Sequence, residues 1–464
     1  MLVTAGEGAG SAATAYAINL VGGSHTIKGR FSNNYGTQTA KIDSRRIVAL
    51  WLSTTPGSQP TNNFAFADGT SKSIGTSETI VATLSTSSFD SGNNFVIAVV
   101  QFSSTAATNI ATGKLRLTRA NSTLMSNAYT VRLGSGALNN QKWFALMAFD
   151  SGAPQNPTYD VRATAAATGI SGEAKILAIS GLTGASAQGS STAIGATETT
   201  LTTLSTSLPA GDNVVLAIIE SQNTATSIRY LSALNLKSGS TTPASAEYRV
   251  NYSSSSTAEG AWQVQLIPYM DADASASAQY TVTATASSAS VVYGRATIVA
   301  FSRGSLLAAY SDGGSVGLGT GEITINYLGT TFSSGTDVAV IASEQFDDTS
   351  SATTIAAGND KLQQNGQATG QTVNQYIIRI PGNSANDDGK GFGLLNEYTN
   401  VPASPEYEVK ATAAAAYVNG ESKILALAKP PKVPEFPLGP ALVLAVCSPI
   451  LLAVRYSSRR SRRV

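Results

Sequence analysis

The chain has 464 residues, enough for about three domains of ordinary size. Charged residues make up 13 % of it, against about 25 % in typical soluble domains. Thirty basic residues against 29 acidic ones give a net charge of +1, so the chain has no general attraction to nucleic acid. The single cysteine, Cys447, excludes a disulfide framework within the chain.

The first segment, residues 1–54, has the pattern of an incomplete β domain. Its apolar runs match only the last three strand positions of the repeats that follow, and no signal-peptide pattern comes after Met1. A domain without its early strands would expose unpaired sheet edges and half a core. We therefore interpret residues 1–54 as a partial repeat whose early strands lie upstream of Met1; a degenerate leftover is the alternative.

Three complete repeats follow, which we call repeats one, two and three. Each contains a strand with period-2 alternation that begins at Tyr159, Tyr280 or Tyr407, followed by a continuous apolar run. A half-buried strand paired with a fully buried one has this pattern. About eight short strands per repeat, separated by turn residues, predict an all-β chain of tandem β-sandwich (jelly-roll-like) repeats. The pattern alone does not decide between Greek-key and jelly-roll connections. The repeats are assigned to residues 62–182, 185–304 and 305–429.

Short motifs in these repeats carry a family resemblance. Residues 23–31 and 45–52 resemble the last two strands of C1q/TNF-like jelly rolls, and the Gly-Asn-Asn-Phe-Val-Ile-Ala motif of residues 92–98 is similar to an early strand of such domains. The resemblance implies a jelly-roll fold, and domains of this family commonly form trimers that serve adhesion or recognition. Tandem copies on one chain depart from the family's usual single-domain arrangement.

The C-terminal part has the composition of a membrane anchor. A Pro-rich linker, residues 430–437, leads to residues 438–454, an uncharged run of 17 residues that would span about 25 Å as a helix. The tail, residues 455–464, contains five arginines, which mark the cytoplasmic side of a membrane. We therefore predict a C-terminal transmembrane helix with the repeats outside the cell.

The same region resembles an archaeal sorting signal of the PEF-CTERM type. Pro434, Glu435 and Phe436 match its tripeptide and are followed by the apolar run and the basic tail. The resemblance implies an archaeal cell-surface protein that an archaeosortase-like enzyme cuts near the motif and transfers to an anchor. An ordinary anchor that is never cut is the alternative.

The repeats contain few residues suited to catalysis. The only histidine, His25, stands in the partial repeat where the other copies have tyrosine, so we interpret it as structural. This excludes Ser-His-Asp or Cys-His catalysis and His/Cys metal sites in repeats one to three. Glu220 and Glu344 align at one repeat position, but repeat one has Gln101 there, which argues against a shared acid/base role.

Acidic pairs and aromatic residues are the remaining candidates for binding sites. The acidic pairs could supply oxygen ligands to calcium, but they recur at no equivalent position, so we interpret them as solvated loops. We place the two tryptophans of the repeats in the core rather than on a sugar-binding surface, and we predict no cofactor. These residues are Asp271, Asp273, Asp347, Asp348, Asp387 and Asp388 for calcium, and Trp143 and Trp262 for the core.

Asn121 and Asn251 stand in glycosylation sequons, as expected for an exported glycoprotein. The sequence thus predicts a non-enzymatic, membrane-anchored surface protein of structural or adhesive function, with surface glycans or other envelope proteins as partners and no role for nucleic acid. The alternative is an array of carbohydrate-binding modules, the anchored tail of a larger exported glycoside hydrolase.

Overall fold

The structure of the chain is a computed structural model. It describes residues 63–104, 109–133, 142–166, 168–223, 231–246, 263–286, 292–348, 354–380, 390–414 and 418–429. Every regular element in these residues is a β-strand, which confirms the all-β class. The partial repeat, the sorting motif, the predicted transmembrane segment and the basic tail lie outside the described residues. No helix long and apolar enough to cross a membrane occurs within the described ranges.

Each repeat contains nine strands. Repeat one has β1 (Phe64–Asp68), β2 (Lys72–Ile74), β3 (Thr79–Ser85), β4 (Gly92–Ser104), β5 (Asn109–Arg119), β6 (Ser122–Leu133), β7 (Lys142–Ala153), β8 (Thr158–Ala163) and β9 (Ile170–Ser180). Repeat two has β10 (Gly184–Gln188), β11 (Thr192–Ile194), β12 (Thr199–Ser205), β13 (Gly211–Asn223), β14 (Leu231–Ser238), β15 (Thr241–Ala246), β16 (Gln263–Ala274), β17 (Gln279–Ala286) and β18 (Val292–Ser302). Repeat three has β19 (Leu307–Asp312), β20 (Val316–Gly317), β21 (Ile323–Gly329), β22 (Val338–Asp348), β23 (Thr354–Gln364), β24 (Gln367–Ile380), β25 (Lys390–Tyr398), β26 (Glu406–Ala411) and β27 (Val418–Ala428).

The three repeats have the same topology. In repeat one, an inner sheet of order β1-β9-β4-β7, with β2 also on β9, packs on an outer sheet of order β3-β8-β5-β6. Repeats two and three have the corresponding strands in the corresponding order, and their strand pairs are antiparallel as well. Two four-stranded layers in this order form a jelly roll. The strand pairing therefore identifies each repeat as a jelly roll. The sequence pattern had left the connectivity open between a Greek-key sandwich and a jelly roll.

The tyrosines that open the sequence repeat mark one structural position. Tyr159, Tyr280 and Tyr407 each pair with the leucine that precedes the last residue of the adjacent outer-sheet edge strand. All three side chains are fully buried. The predicted equivalence of these tyrosines is therefore confirmed.

The inner sheets are buried on both faces. In β13, Val215 and its alternate neighbours belong to a core cluster confined to repeat two. Val214, Leu216 and Ile218, which point to the opposite face, belong to a second cluster that contains the cores of repeats one and three. Successive residues of a strand point to opposite faces, so a strand covered on both sides needs an unbroken apolar run. This explains the continuous apolar runs seen in the sequence.

The second face of each inner sheet is covered by an edge strand of the preceding repeat, and that of repeat one by repeat three. The edge strand β7 packs on β10, β13 and β18 of repeat two, and β16 packs in the same way on β19, β22 and β27 of repeat three. The edge strand β25 packs on β1, β4 and β9 of repeat one, so the ring closes. We call these contacts the first, second and third junctions. A head-to-tail interface that closes after three copies gives the repeats a pseudo-threefold arrangement within one chain.

The edge strands β7, β16 and β25 also meet one another at the centre of the ring. A Cβ atom built on Gly393 of β25 would lie 3.0 Å from Val99 in repeat one and 3.6 Å from Leu266 in repeat two. Trp143 lies beside them and is 7 % exposed. Its burial agrees with the core position predicted for it, but the core that holds it is shared between repeats.

Replacing Gly393 with valine should destabilise the whole ring, because the added methyl groups have no room between Val99 and Leu266. We expect a loss of about 1–3 kcal/mol in the free energy of unfolding, as for other overpacked cores, measured by guanidinium unfolding. The exposed Gly321 has no atom within 4 Å of a built Cβ, so Gly321→Val is the matched control and should change stability by less than about 0.5 kcal/mol. Equal effects of the two substitutions would contradict the packing at the centre.

Candidate functional site

The buried tyrosine of repeats one and two belongs to a polar network. The Asn94 side-chain amide donates a hydrogen bond to the Tyr159 hydroxyl at 2.8 Å, and this hydroxyl donates to Asp150 at 3.0 Å. In repeat two, Tyr280 has the same partners, an asparagine at 3.0 Å and an aspartate at 2.9 Å. Burial, more than the nearby carboxylate, raises the pKa of both tyrosines, so the phenols stay neutral. The network ties the inner sheet to the outer one.

Repeat three has lost this network. Val338 stands at the position of the asparagine and Tyr398 at that of the aspartate, as the strand registers show. The rings of Tyr398 and Tyr407 lie 5.3 Å apart, and burial raises the pKa of Tyr398 to about 12. Within the described residues the Tyr407 hydroxyl has no hydrogen-bond partner. Repeat three therefore replaces a hydrogen-bonded network with an aromatic contact.

The strand register corrects one prediction from the sequence. Glu220 pairs across the inner sheet with Arg295, and its counterpart in repeat three is Gln345, which pairs with Glu421. Glu344 is one residue out of this register and points to the opposite face. The prediction that Glu220 and Glu344 share a position was wrong, because the apolar run of repeat three begins one residue earlier in the strand.

Glu220 holds the first junction together. Its carboxylate accepts a hydrogen bond from the Arg295 guanidinium at 2.5 Å and another from the amide of Asn127, in repeat one, at 3.0 Å. Burial raises the pKa of Glu220, and the Arg295 charge opposes that shift. Gln188 of β10 donates to the Asn127 carbonyl oxygen at 3.5 Å. The Glu220 carboxylate is thus hydrogen-bonded on both oxygens, so the ion pair is structural and supplies no free acid or base.

Glu344 faces another carboxyl inside the sandwich of repeat three. Both Glu344 and Asp360 are buried, at 1 % and 0 % exposure, where the other repeats have aliphatic residues. Burial, followed by the charge and hydrogen bond of Asp360, raises the pKa of Glu344 well above its usual range. No donor from the described residues reaches either oxygen of Glu344 in its ionised form. A closed core gives no access to substrate, so this pair is not the open carboxylate site of a glycosidase.

A cavity of about 360 Å³ lies at the first junction. Repeat one contributes the end of β5, the start of β6 and the middle of β7, and repeat two contributes β10 and Thr297 of β18. The Arg119 guanidinium reaches into its wall and is paired with Asp150 at 2.5 Å. Ser122 and Ser151 at its rim are exposed, so the cavity opens to solvent. It is the best candidate for a binding site in the described structure.

The structure locates the candidates from the sequence as follows. Asn121 lies at the exposed turn between β5 and β6, where its side-chain oxygen accepts a hydrogen bond from Arg162 at 2.6 Å. Asp271 accepts hydrogen bonds from Tyr280 and Ser238, whereas Asp273 is exposed near the end of strand β16. No group of three or more His, Cys, Asp and Glu side chains suited to a metal ion occurs within the ranges that the structure describes.

Further candidates fall where nothing is described of them. Asp347 and Asp348 end strand β22, but their side chains are not described. The remaining predicted residues lie outside the described residues altogether. They are His25, Asn251, Trp262, Asp387, Asp388, Pro434, Glu435 and Phe436.

Reasoning from the sequence missed Arg119 and Asp150. A signal for Asp150 was present, because an aspartate stands nine residues before the strand tyrosine in both repeat one and repeat two. No pattern in the sequence marks Arg119, because its role depends on the neighbouring strand β7 and on the next repeat. The cavity itself depends on packing between repeats.

The strand order and the closed ring define this chain as a triple jelly-roll protein. No protein-family model matches it, and none of the curated proteins does. Among solved structures, PNGF-II is 7 % identical with a TM-score of 0.29 over 52 % of this chain, and the chain spans 65 % of PNGF-II, just under two thirds. The STIV MCP is 9 % identical, with a TM-score of 0.26 over 55 % of this chain and 99 % of that one.

A third similar structure is described by the words "the triple jelly roll fold and turret assembly in an archaeal virus". It is 11 % identical, with a TM-score of 0.18 over 79 % of this chain and 90 % of that one. At such low TM-scores the jelly-roll assignment rests on the strand order of this chain itself.

The three equivalent tyrosines offer a matched test of the buried network. Replacing Tyr159 or Tyr280 with phenylalanine leaves a buried asparagine and a buried aspartate short of a hydrogen bond, at a cost of about 1–3 kcal/mol in the free energy of unfolding. Tyr407→Phe removes only a hydroxyl without a partner among the described residues, so it should leave stability unchanged or raise it. Guanidinium unfolding of the three variants measures this, and a loss in Tyr407→Phe as large as in Tyr159→Phe would refute the network.

The buried carboxyl pair predicts a pH dependence. Because the pKa of Glu344 is raised in the folded state, its protonated form favours folding; that contribution is complete below the unfolded pKa of about 4.3 and is lost as pH rises through the folded pKa. Glu344→Gln should therefore gain on the order of 1–3 kcal/mol at pH 7 and lose less stability between pH 4 and 8 than the unaltered chain.

The control for this substitution is Glu220→Gln, which removes the charge paired with Arg295. It should lower stability at pH 7, because the partly buried Arg295 guanidinium loses its charged partner. Thermal unfolding across the pH range compares the variants. A stability-against-pH curve of Glu344→Gln that coincides with that of the unaltered chain would show that the carboxyl pair does not titrate as inferred.

Proposed function

We propose that this chain is a non-enzymatic structural or adhesive protein of a cell surface, whose three jelly rolls form one rigid head. The observation that supports this most directly is ring closure, in which each repeat covers the inner sheet of the next. A head of this kind keeps a fixed shape, and each outer sheet packs on the face of its inner sheet opposite to the one that the neighbouring repeat covers. Rigid scaffolds that present loops are a common basis for recognition.

The same observation argues against the alternative of an array of separate carbohydrate-binding modules. Independent modules on flexible connections would leave the second face of each inner sheet exposed to water. Here, alternate residues of β13 and β4 belong to the shared apolar cluster, so that face is used for assembly of the head. A platform for polysaccharide on the inner sheets therefore has no free surface.

The outer surface of the three repeats also has features that suit a long-lived protein outside the cell. The outer-sheet edge strands β3, β12 and β21 each carry a register shift at the same place, a β-bulge that hinders pairing with another chain. Among the described residues the exposed large apolar side chains are Ile80 and Tyr327, which belong to different repeats. Such a surface has little tendency to aggregate.

The proposal places the head outside the membrane through residues 438–454, with Pro434, Glu435 and Phe436 as the processing motif. Both features rest on the sequence pattern. The expected partners are the membrane, an archaeosortase-like enzyme, and surface glycans or other envelope proteins. The stiff Pro-rich linker would keep the head clear of the surface.

Expression of the full chain in an archaeal host tests the proposal. We expect antibodies against the head to label intact cells, and the mature chain to have a mass that ends near Phe436 if the segment is a sorting signal. A mass that includes residues 455–464 would mean a plain membrane anchor, because the basic tail stays on the cytoplasmic side. Recovery of the unmodified chain from the cytosol would refute the surface location.

Adhesion is tested separately with beads that carry the purified chain. Binding of the beads to cell envelopes, reduced by excess free chain, would support the adhesive function, whereas labelled cells without bead binding would leave the structural one. Turnover of cell-wall polysaccharide by the purified chain would contradict the non-enzymatic assignment.

A further inference from the structure

The first and second junctions differ at two positions that line the cavity. Strand registers place Ala148 of β7 at the position of Tyr269 in β16, and Ser186 of β10 at the position of Tyr310 in β19. At the second junction these two tyrosines pack edge to face, with ring centroids 5.9 Å apart. At the first junction the small side chains of Ala148 and Ser186 line the cavity instead. The space therefore comes from two specific residues in an otherwise repeated interface.

A second difference sets this cavity apart. Arg119 pairs with Tyr159 across the outer sheet, and the residues in the same register are Ser238 in repeat two and Gln364 in repeat three. Ser238 donates a hydrogen bond to Asp271, so the aspartate of repeat two is satisfied without a cation. In repeat one the Arg119 guanidinium pairs with the aspartate instead, and its other N–H groups are additional donors beside the cavity.

The charge of the lining limits what it can bind. Arg119 is the only cation in the lining and is neutralised by Asp150, whose other oxygen accepts from Tyr159. A free anion would meet the carboxylate together with the guanidinium, so phosphate and carboxylate ligands gain little. A cationic ligand would be repelled by the positive charge of the guanidinium. The lining favours an uncharged ligand.

The remaining side chains are of two kinds. Hydroxyl groups and one amide offer both donors and acceptors, while thioethers, methyl groups and one aromatic ring form apolar wall. They are Ser122, Thr123, Ser151, Ser186, Gln188 and Thr297 on the polar side, and Leu124, Met125, Met147, Ala148, Phe149 and Ala187 on the apolar side. A ligand that matches both kinds has several hydroxyls together with a face of C–H groups.

We propose that this cavity binds a single neutral sugar ring, free or at the end of a glycan. About 360 Å³ is at the lower end of the range of small-molecule sites, about 300–1,000 Å³, which suits one ring and excludes an extended chain from the interior. The ring's hydroxyls would bond to Arg119, Gln188 and the Ser and Thr groups, and its C–H face would lie on the half-buried side chains of Leu124 and Phe149. The site goes beyond the structural or adhesive function proposed above and does not depend on the surface location.

Saturation-transfer difference NMR on the full chain tests the site. The probes are the methyl glycosides of D-glucose, D-mannose and D-galactose and N-acetyl-D-glucosamine, with sodium glucuronate and phosphate as anionic comparisons. We expect saturation transfer to at least one neutral probe. Ala148→Tyr, which gives the first junction the residue of the second, should abolish this signal or weaken binding at least tenfold.

The matched control is Ala193→Tyr, the same substitution at an exposed position of β11, which should leave binding unchanged. Thermal unfolding verifies that each variant is folded, and Ser186→Tyr fills the cavity from the other side if Ala148→Tyr does not fold. No signal from any neutral probe, a signal from the anions alone, or an unchanged signal in both filled variants would overturn the proposal. None of these outcomes bears on cell-surface labelling, so the two proposals fail independently.

Discussion

The structure depends on the burial of the second face of each inner sheet. A single jelly roll buries one face of each sheet against its partner sheet, and the outer face of an antiparallel sheet normally meets water. Here Val214, Leu216 and Ile218 make that outer face as apolar as the inner one, so an isolated repeat would expose a large apolar patch. In the closed ring, a neighbouring repeat covers this patch in each of the three repeats.

The burial of both faces explains how much the sequence could predict. The continuous apolar runs and the recurring tyrosines are visible in the sequence itself. They were enough to predict the all-β class and the equivalent positions of Tyr159, Tyr280 and Tyr407. The position of Glu344 did not. Side chains alternate across a strand, so a shift of one residue moves a carboxyl from the junction into the core, and similar letters in two repeats do not reveal the shift.

The candidate site was less predictable than the fold. Arg119, Asp150 and Ser186 come from two repeats and meet only because the edge of repeat one lies on the inner sheet of repeat two. The aspartate had a signal in its constant distance from the tyrosine, but the junction had none. Contacts between residues so far apart in the chain depend on how one repeat packs on the next. Hydrophobic periodicity and strand propensity carry no information about that packing.

Linking the three copies in one chain also changes what each junction can become. In a trimer of identical subunits every substitution occurs three times, so a residue that opens one interface opens all of them. A single chain has no such requirement. Repeat one can hold Ala148 where repeat two holds Tyr269, and repeat three can hold a carboxyl pair in its core while the other cores stay apolar.

Closure of the ring has a consequence for how the chain is made. Strand β25 of the last repeat covers β1, β4 and β9 of the first, so repeat one is synthesised long before its cover exists. Contacts between segments far apart in sequence form slowly, and apolar surface left open in the interval favours aggregation. The apolar face of repeat one therefore stays uncovered until the third repeat has left the ribosome.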